Sequence, residues 1–288
     1  MVRIALLLMF LSTPMAVAAD GLTLAWEAKG LRAPESAVYD AARDVIYVSN
    51  IGGDPSAKDG DGSIARLSPD GRVLDADWVR GLNAPKGLAL YKDRLYVADL
   101  DTVVEIDVTT GRILQRYHSD TARFLNDAAV DGQGVVYSSD MQDAAIYRLK
   151  DGKLEKWLAS DTHALCSPNG VYAAKEHLVV GCWTEVVDEF ETVADGRLKA
   201  VDYGTRRISV LGSGKPVGHI DGLEADGKGG WYATDWLAGK LLHMDEKGTV
   251  TTLMAPGQGN ADLGIDRRHR LLLIPMMNDD AVRAYRMP

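Results

Sequence analysis

Glu35, Lys86, Asn126, Asn169, Asp221 and Ala261 stand at equivalent places in a repeating pattern, although they are spread over most of the chain. Directly behind them come Ser36, Gly87, Asp127, Gly170, Gly222 and Asp262. Carboxylates and amide carbonyls without His or Cys form the donor set of a hard divalent cation, Ca²⁺ first, with Mg²⁺, Mn²⁺ or Zn²⁺ as alternatives. A set made of Glu35, Asn169 and Asp221 leaves coordination positions open, which is what a catalytic ion requires. The same residues admit a plainer reading, in which Lys86 pairs with Glu35 or Asp221 and the space between them holds water.

For these side chains to meet, six distant segments must reach one axis. Each position opens the same phrase: a small or polar residue, an apolar stretch often ending in Asp, a short strand rich in Tyr and Val, then a polar stop. Glu35 to Asp40 leads to Val45-Ile46-Tyr47-Val48-Ser49-Asn50, and Lys86 to Tyr91 leads to Leu95-Tyr96-Val97-Ala98-Asp99. Asn126 to Asp131 leads to Val135-Val136-Tyr137-Ser138-Ser139-Asp140, and Asp221 to Asp226 to Trp231-Tyr232-Ala233-Thr234-Asp235. The copies opened by Asn169 and Ala261 run to Leu178-Val179-Val180-Gly181-Cys182 and Leu271-Leu272-Leu273-Ile274-Pro275. An alternating segment such as Thr102-Val103-Val104-Glu105-Ile106-Asp107 follows, then a Gly turn such as Thr110-Gly111, which reads as a third and fourth strand joined by a hairpin.

A repeat of about 40 to 50 residues with four strands is a propeller blade, so the expected fold is all-β, a six-bladed β-propeller. One blade cannot bury both of its faces alone, and the ring has to close. Leu22-Thr23-Leu24-Ala25-Trp26-Glu27-Ala28 alternates apolar and polar, while the last copy stops soon after Val282-Arg283-Ala284-Tyr285-Arg286. The N-terminal strand is therefore expected to complete the last blade. In such a ring the innermost strands start beside the axis, so the residue opening each repeat faces a common funnel.

Residues 1–19 read as a secretory signal peptide: Arg3, the apolar run Ile4 to Leu11, and a small-residue cleavage site at Ala16-Val17-Ala18 or Val17-Ala18-Ala19. The run is too short to span a bilayer. Residues 20–288 then form a single propeller domain in the periplasm or outside the cell. The net charge of -9 is spread without a Lys/Arg cluster, which argues against nucleic acid and anionic membrane surfaces as partners. Cys166 and Cys182 make an even count in an oxidising compartment, and a hairpin near Lys175-Glu176 brings them toward one another. A disulfide and a pair of buried thiols are both open.

With these motifs in place the chain resembles the SMP-30/gluconolactonase/LRE-like group of six-bladed propellers, along essentially all of residues 20–288. The resemblance is carried by Ala33-Pro34-Glu35-Ser36-Ala37-Val38-Tyr39-Asp40, Phe124-Leu125-Asn126-Asp127-Ala128-Ala129-Val130-Asp131, Ser167-Pro168-Asn169-Gly170 and Ile220-Asp221-Gly222-Leu223-Glu224, in that order. It implies one divalent metal ion held by Glu35, Asn169 and Asp221, with Asn126 facing metal or substrate. It also implies hydrolysis of a small-molecule lactone or ester, with the metal polarising the carbonyl and Asp221 as general base. Asn126, Asp127, Lys86 and Arg123 are expected to meet the substrate. Lys86 departs from the pattern as a cation beside the metal, and suits a substrate carboxylate or lactone oxygen. Arg123 stands three residues before Asn126, where sugar-lactonase members often have Arg two before theirs, so sugar recognition is not inherited with the fold.

Two long loops, Ile51 to Gly62 and Thr184 to Gly196, should border the mouth of the funnel. Lys58-Asp59-Gly60-Asp61-Gly62 lacks the spaced ligands and closing Glu of a calcium loop, and reads as a solvated turn. The six histidines show no metal spacing, and His219 alone falls near the proposed site. Without a Gly-x-Ser-x-Gly elbow, Ser36 is no hydrolase nucleophile. Trp183 and Trp236 end second strands and are placed to wall a pocket. The leading expectation is an exported, monomeric, metal-dependent lactonase or esterase. Its alternative is a non-enzymatic NHL-like propeller that binds a peptide or glycan across one face, as the Tyr96-Val97-Ala98-Asp99 phrasing allows.

Overall fold

A computed structural model describes residues 21–159, 164–185 and 195–287; the expected signal peptide and most of the Thr184 to Gly196 loop lie outside them. Among the described residues, six four-stranded antiparallel sheets follow one another as the blades of a propeller. Blade one is Pro34–Asp40, Val45–Asn50, Gly62–Leu67 and Val73–Leu82, in that spatial order. The inner strands of blades two to six are Pro85–Tyr91, Leu125–Val130, Ser167–Ala173, Ile220–Ala225 and Gly264–Asp266. Blade six finishes with the chain's first strand, Thr23–Lys29, which pairs antiparallel with Ala281–Arg286. With this strand in place blade six packs against blade one through Ala28, Val282 and Ala284 on Ile46 and Val48.

Strand alternation builds the core. Because successive side chains point to opposite faces, each blade feeds both of its neighbours. In blade one, Ile46 and Val48 pack with Leu273, Val282 and Ala284 of blade six. Tyr47 between them packs with Val97, Val104 and Ile106 of blade two. Similar layers join the remaining pairs of blades, so the ring is held by interblade seams and has no central core. The axis stays free for polar groups.

A shared irregularity positions them. The register of the innermost strand pair shifts between Pro34 and Ala37, Pro85 and Leu88, Leu125 and Ala128, Pro168 and Val171, and Ile220 and Leu223. Each shift brackets the two residues singled out by the repeat, such as Glu35-Ser36 or Asp221-Gly222. A bulge re-aims side chains that would otherwise lie in the seam. In blade six Ala261 and Asp262 precede the regular strand, and Asp262 N–H bonds the Glu35 carbonyl at 2.8 Å.

Candidate active site

Second strands hold the bulges open. Ser49 Oγ accepts Ser36 N–H at 2.9 Å, Ser139 Oγ accepts Asp127 N–H at 3.0 Å, and Thr234 Oγ1 accepts Gly222 N–H at 2.8 Å. The Asp that closes the second strand clamps the loop entering the bulge. Asp99 accepts Asn83 and Ala84 N–H, and Asp140 accepts Arg123 and Phe124 N–H. The Tyr96-Val97-Ala98-Asp99 phrase therefore has a local structural task, which is to fasten its own blade's inner loop.

So held, Glu35, Lys86, Asn126, Asn169, Asp221 and Ala261 line one pocket of about 160 Å³ with Ile51, Pro55, Phe124, Met141, Trp183, Trp236 and Met277. Glu35, Asn126, Asn169 and Asp221 are 4 %, 6 %, 1 % and 7 % exposed, too little for water to satisfy them from outside. Yet Glu35 Oε2, Asn126 Oδ1, Asn169 Oδ1 and Asp221 Oδ1 have no hydrogen-bond partner. Leaving a buried acceptor unpaired costs about 1–3 kcal/mol, so four such oxygens in one pocket call for a ligand. The nitrogen ends of the amides are occupied: Asn126 Nδ2 donates to Met141 Sδ at 2.7 Å, and the Asn169 side chain hydrogen-bonds Asp221. Oxygen is what both amides have left to offer.

Charge points the same way. Burial, then the neighbouring Asp221 and Asp262, push the Glu35 carboxyl well above its ordinary range, against the pull of Lys86. Burial and Asp262 push Asp221 up, opposed by its hydrogen bond from Asn169. Lys86 is pushed down to about 8 by burial, against Glu35, Asp99 and Asp54. Its ammonium donates to the Pro55 and Ala84 carbonyls at 2.9 and 3.0 Å, and lies 4.3 Å from the Phe124 ring centroid. It makes no ion pair with Glu35 or Asp221 among the described residues. Two buried carboxylates and two amide oxygens therefore face a pocket whose one cation is held elsewhere, and a divalent ion fits both the donor chemistry and the missing charge. Among the described residues no three His, Cys, Asp or Glu side chains form a metal cluster; the set here is half amide.

The family model for the SMP-30/gluconolactonase/LRE-like region matches residues 33–260. The chain belongs to that family. Among similar solved structures is the gluconolactonase XC5397 from Xanthomonas campestris, 16% identical, with 94% of this chain and 96% of that chain covered at a TM-score of 0.67. Virginiamycin B lyase from Staphylococcus aureus is 10% identical, with 93% of this chain and 100% of that chain covered at a TM-score of 0.61. A lyase variant with one histidine changed to alanine is described as catalytically inactive. At these identities the likeness shows the shared propeller and no more. No curated protein matches the chain.

In this SMP-30/gluconolactonase/LRE-like propeller no described histidine lines the pocket. His219 instead packs edge-on against Trp183, with ring centroids 5.7 Å apart. Two expected substrate contacts need correction. Asp127 turns away from the pocket: its carboxylate accepts Val171 N–H at 2.6 Å and Ala128 N–H at 2.6 Å, stitching blade three to blade four. With Ser36, Glu224 and Asp262 it lines a second cavity of about 200 Å³ further along the inner strands. Alternation across the bulge explains this, since neighbours in sequence face opposite ways. Arg123 is exposed and absent from the lining, its backbone N–H held by Asp140.

The Ile51 to Gly62 loop does reach the mouth, through Ile51 and Pro55, and Trp183 and Trp236 wall the pocket. Cys166 and Cys182 are bonded, with Cα atoms 5.9 Å apart, tying the strand that follows Asn169's hairpin to the start of its own. Sequence reasoning missed Phe124, Met141 and Met277. Phe124 sits two residues before Asn126 and Met141 directly after the clamp Asp140, so both could have been found by asking what flanks the repeat's polar positions.

Proposed function

We propose that this propeller is a metal-dependent hydrolase of a lactone or ester, acting outside the cytoplasm. The observation that carries the reading is the set of four unpartnered, buried oxygens from four different blades in one pocket. Glu35, Asn169 and Asp221 would hold the ion, with Asn126 completing the oxygen face. When bound, the ion supplies positive charge that polarises the acyl carbonyl and steadies the oxyanion as it develops. The leader-like residues 1–19 and the Cys166–Cys182 bond support an oxidising compartment.

Asp221 is the general base of this reading. Its carboxylate, a weak base while it holds the ion, acts mostly through position when it takes a proton from the attacking water as the water oxygen bonds to the acyl carbon. That proton passes to the leaving oxygen as the acyl C–O bond breaks, giving a carboxylic acid and a hydroxyl. Positioned proton transfer of this kind is worth about 10²–10⁴ in rate. An ammonium has three donors, and two of those on Lys86 are used by Pro55 and Ala84, which leaves the third for a substrate oxygen.

A panel of lactones and esters, assayed with and without chelator, tests the proposal. Turnover should vanish on chelation, return with added Ca²⁺ or another divalent ion, and fall at least about 10²-fold in Asp221→Ala. Full turnover by Asp221→Ala on every lactone the wild type opens would end this assignment.

A further inference from the structure

Besides the residues that carry the four oxygens, the pocket is lined by Ile51, Phe124, Met141, Trp183, Trp236 and Met277. Ile51, Phe124 and Met141 are 2 %, 6 % and 4 % exposed, so this wall belongs to the interior and is not a greasy rim. Among the described lining residues the side-chain donors left for a substrate include the remaining Lys86 N–H and Trp183 Nε1, which is buried without a partner. The acceptor oxygens are the ion's ligands on the reading above.

We infer that the substrate is a compact apolar lactone or ester, with an acyl or ring portion about the size of one aromatic ring, and not a polyhydroxylated sugar lactone. This rests on the hydrolytic reading and adds the substrate class to it. A sugar lactone carries hydroxyls around its ring, and each one pressed against this wall loses its water without gaining a partner. An apolar pocket discriminates against a single added hydroxyl by about 10² in kcat/KM, and several hydroxyls multiply the penalty. Size sets the other limit. The cavity is about 160 Å³, close to the roughly 150 Å³ apolar cavity known to hold benzene. The aromatic walls match the flat faces of such a ring, and Arg123, the residue that would have favoured sugar hydroxyls, lies outside the lining.

Dihydrocoumarin, a benzo-fused aryl ester, and glucono-δ-lactone, a polyhydroxylated alkyl ester, both contain a six-membered lactone, and each kcat/KM is divided by the rate constant of that lactone's opening by hydroxide to remove the difference in leaving group. The wild-type protein with Ca²⁺ should open dihydrocoumarin with a normalised kcat/KM at least about 100-fold higher. Met277→Gln keeps the side chain's length, changes a half-buried wall position and should lower that ratio about tenfold, by the usual cost of an unpaired polar group in an apolar pocket. A readout independent of turnover is quenching of tryptophan fluorescence in chelator-treated protein by 3,4-dihydroquinolin-2-one, a lactam that is not hydrolysed. Gluconolactam should leave the signal unchanged. Equal or better turnover of gluconolactone would overturn the inference while the hydrolase reading stands. Quenching by the quinolinone without turnover of either lactone would sink the hydrolase reading and leave the apolar pocket intact. Quenching by gluconolactam at the same concentration as the quinolinone would overturn the inference by itself.

Discussion

Asn126 shows how far the site depends on which end of an amide is free. Its nitrogen is taken by the thioether of Met141 and its oxygen is left in the pocket. Sulfur is a weak acceptor, so the bond steers orientation more than it adds stability. Met141→Leu keeps the volume and should cost less than about 1.5 kcal/mol of stability. Asn126 is then free to turn, and divalent-ion affinity should drop about 2- to 10-fold, as expected for one net hydrogen bond. Calorimetric titration of wild type and variant checks this, and an unchanged affinity would show that Met141 has no orienting part. The residues that carry the four pocket oxygens were legible in the sequence because each opens a copy of one phrase, and equivalent positions in a ring meet at the axis. Asp127 was misplaced for want of the bulge, across which it faces away from Asn126, and Arg123 because it belongs to the loop before the strand, where it is exposed with its N–H held by Asp140. Met141 could have been found as the residue after the clamp Asp140, whereas Met277 comes from a short turn where the repeat carries no signal.

The elements that matter most are the five bulges and the close packing of the inner strands behind them. At Gly222 a Cβ would lie 2.3 Å from Leu263 N and 2.7 Å from Asp262 Cα, both backbone atoms of the next blade. Nothing flexible can yield there. Gly222→Ala should therefore destabilise by about 1–3 kcal/mol, lowering Tm by roughly 2–6 °C, and should weaken ion binding by shifting Asp221. Thermal unfolding by circular dichroism measures the first effect, and a Tm within 1 °C of wild type (about the shift from a few tenths of a kcal/mol) would contradict the packing argument. Strand positions were readable from alternation: Val45–Asn50 and Trp231–Asp235 coincide with the expected second strands of blades one and five. Blade six was harder, since its inner strand is regular only at Gly264–Asp266. There Asp262 is held by Glu35 of blade one across the closure, a contact between chain ends that no local pattern reports.

At the scale of the whole molecule, closing the ring forces carboxyls from several blades together along one axis. Burial, opposed by a hydrogen bond from Ser36, raises Asp262 to about 7, and burial with Asp262 raises Glu224 to about 8, against about 3.9 and 4.3 in an unfolded chain. Between those limits the folded protein holds more protons than the unfolded one, so stability falls as pH rises from about 4 to 8. Carboxyls held below their ordinary range, such as Asp226 and Asp245, act on the acid side of that window. Lys86, lowered to about 8, acts in the opposite sense above it. Scanning fluorimetry of chelator-treated protein should show Tm decreasing from pH 5.5 to 8, and saturating Ca²⁺ should flatten or reverse that slope, because protons and the ion compete for the same oxygens. A metal-free Tm that climbs across this range would contradict the picture of uncompensated axial charge. The fold, the ring closure and the meeting of Glu35, Asn126, Asn169 and Asp221 all followed from the repeat; the amount of buried charge did not, because burial depends on how tightly six sheets pack. The most direct test is metal stoichiometry by elemental analysis, on protein dialysed against Ca²⁺ and then against metal-free buffer. One tightly held divalent ion per chain is expected, lost in the Glu35→Gln, Asn169→Ala and Asp221→Asn variants that still fold. Wild type that holds no ion, or variants that hold it as firmly, would contradict the account.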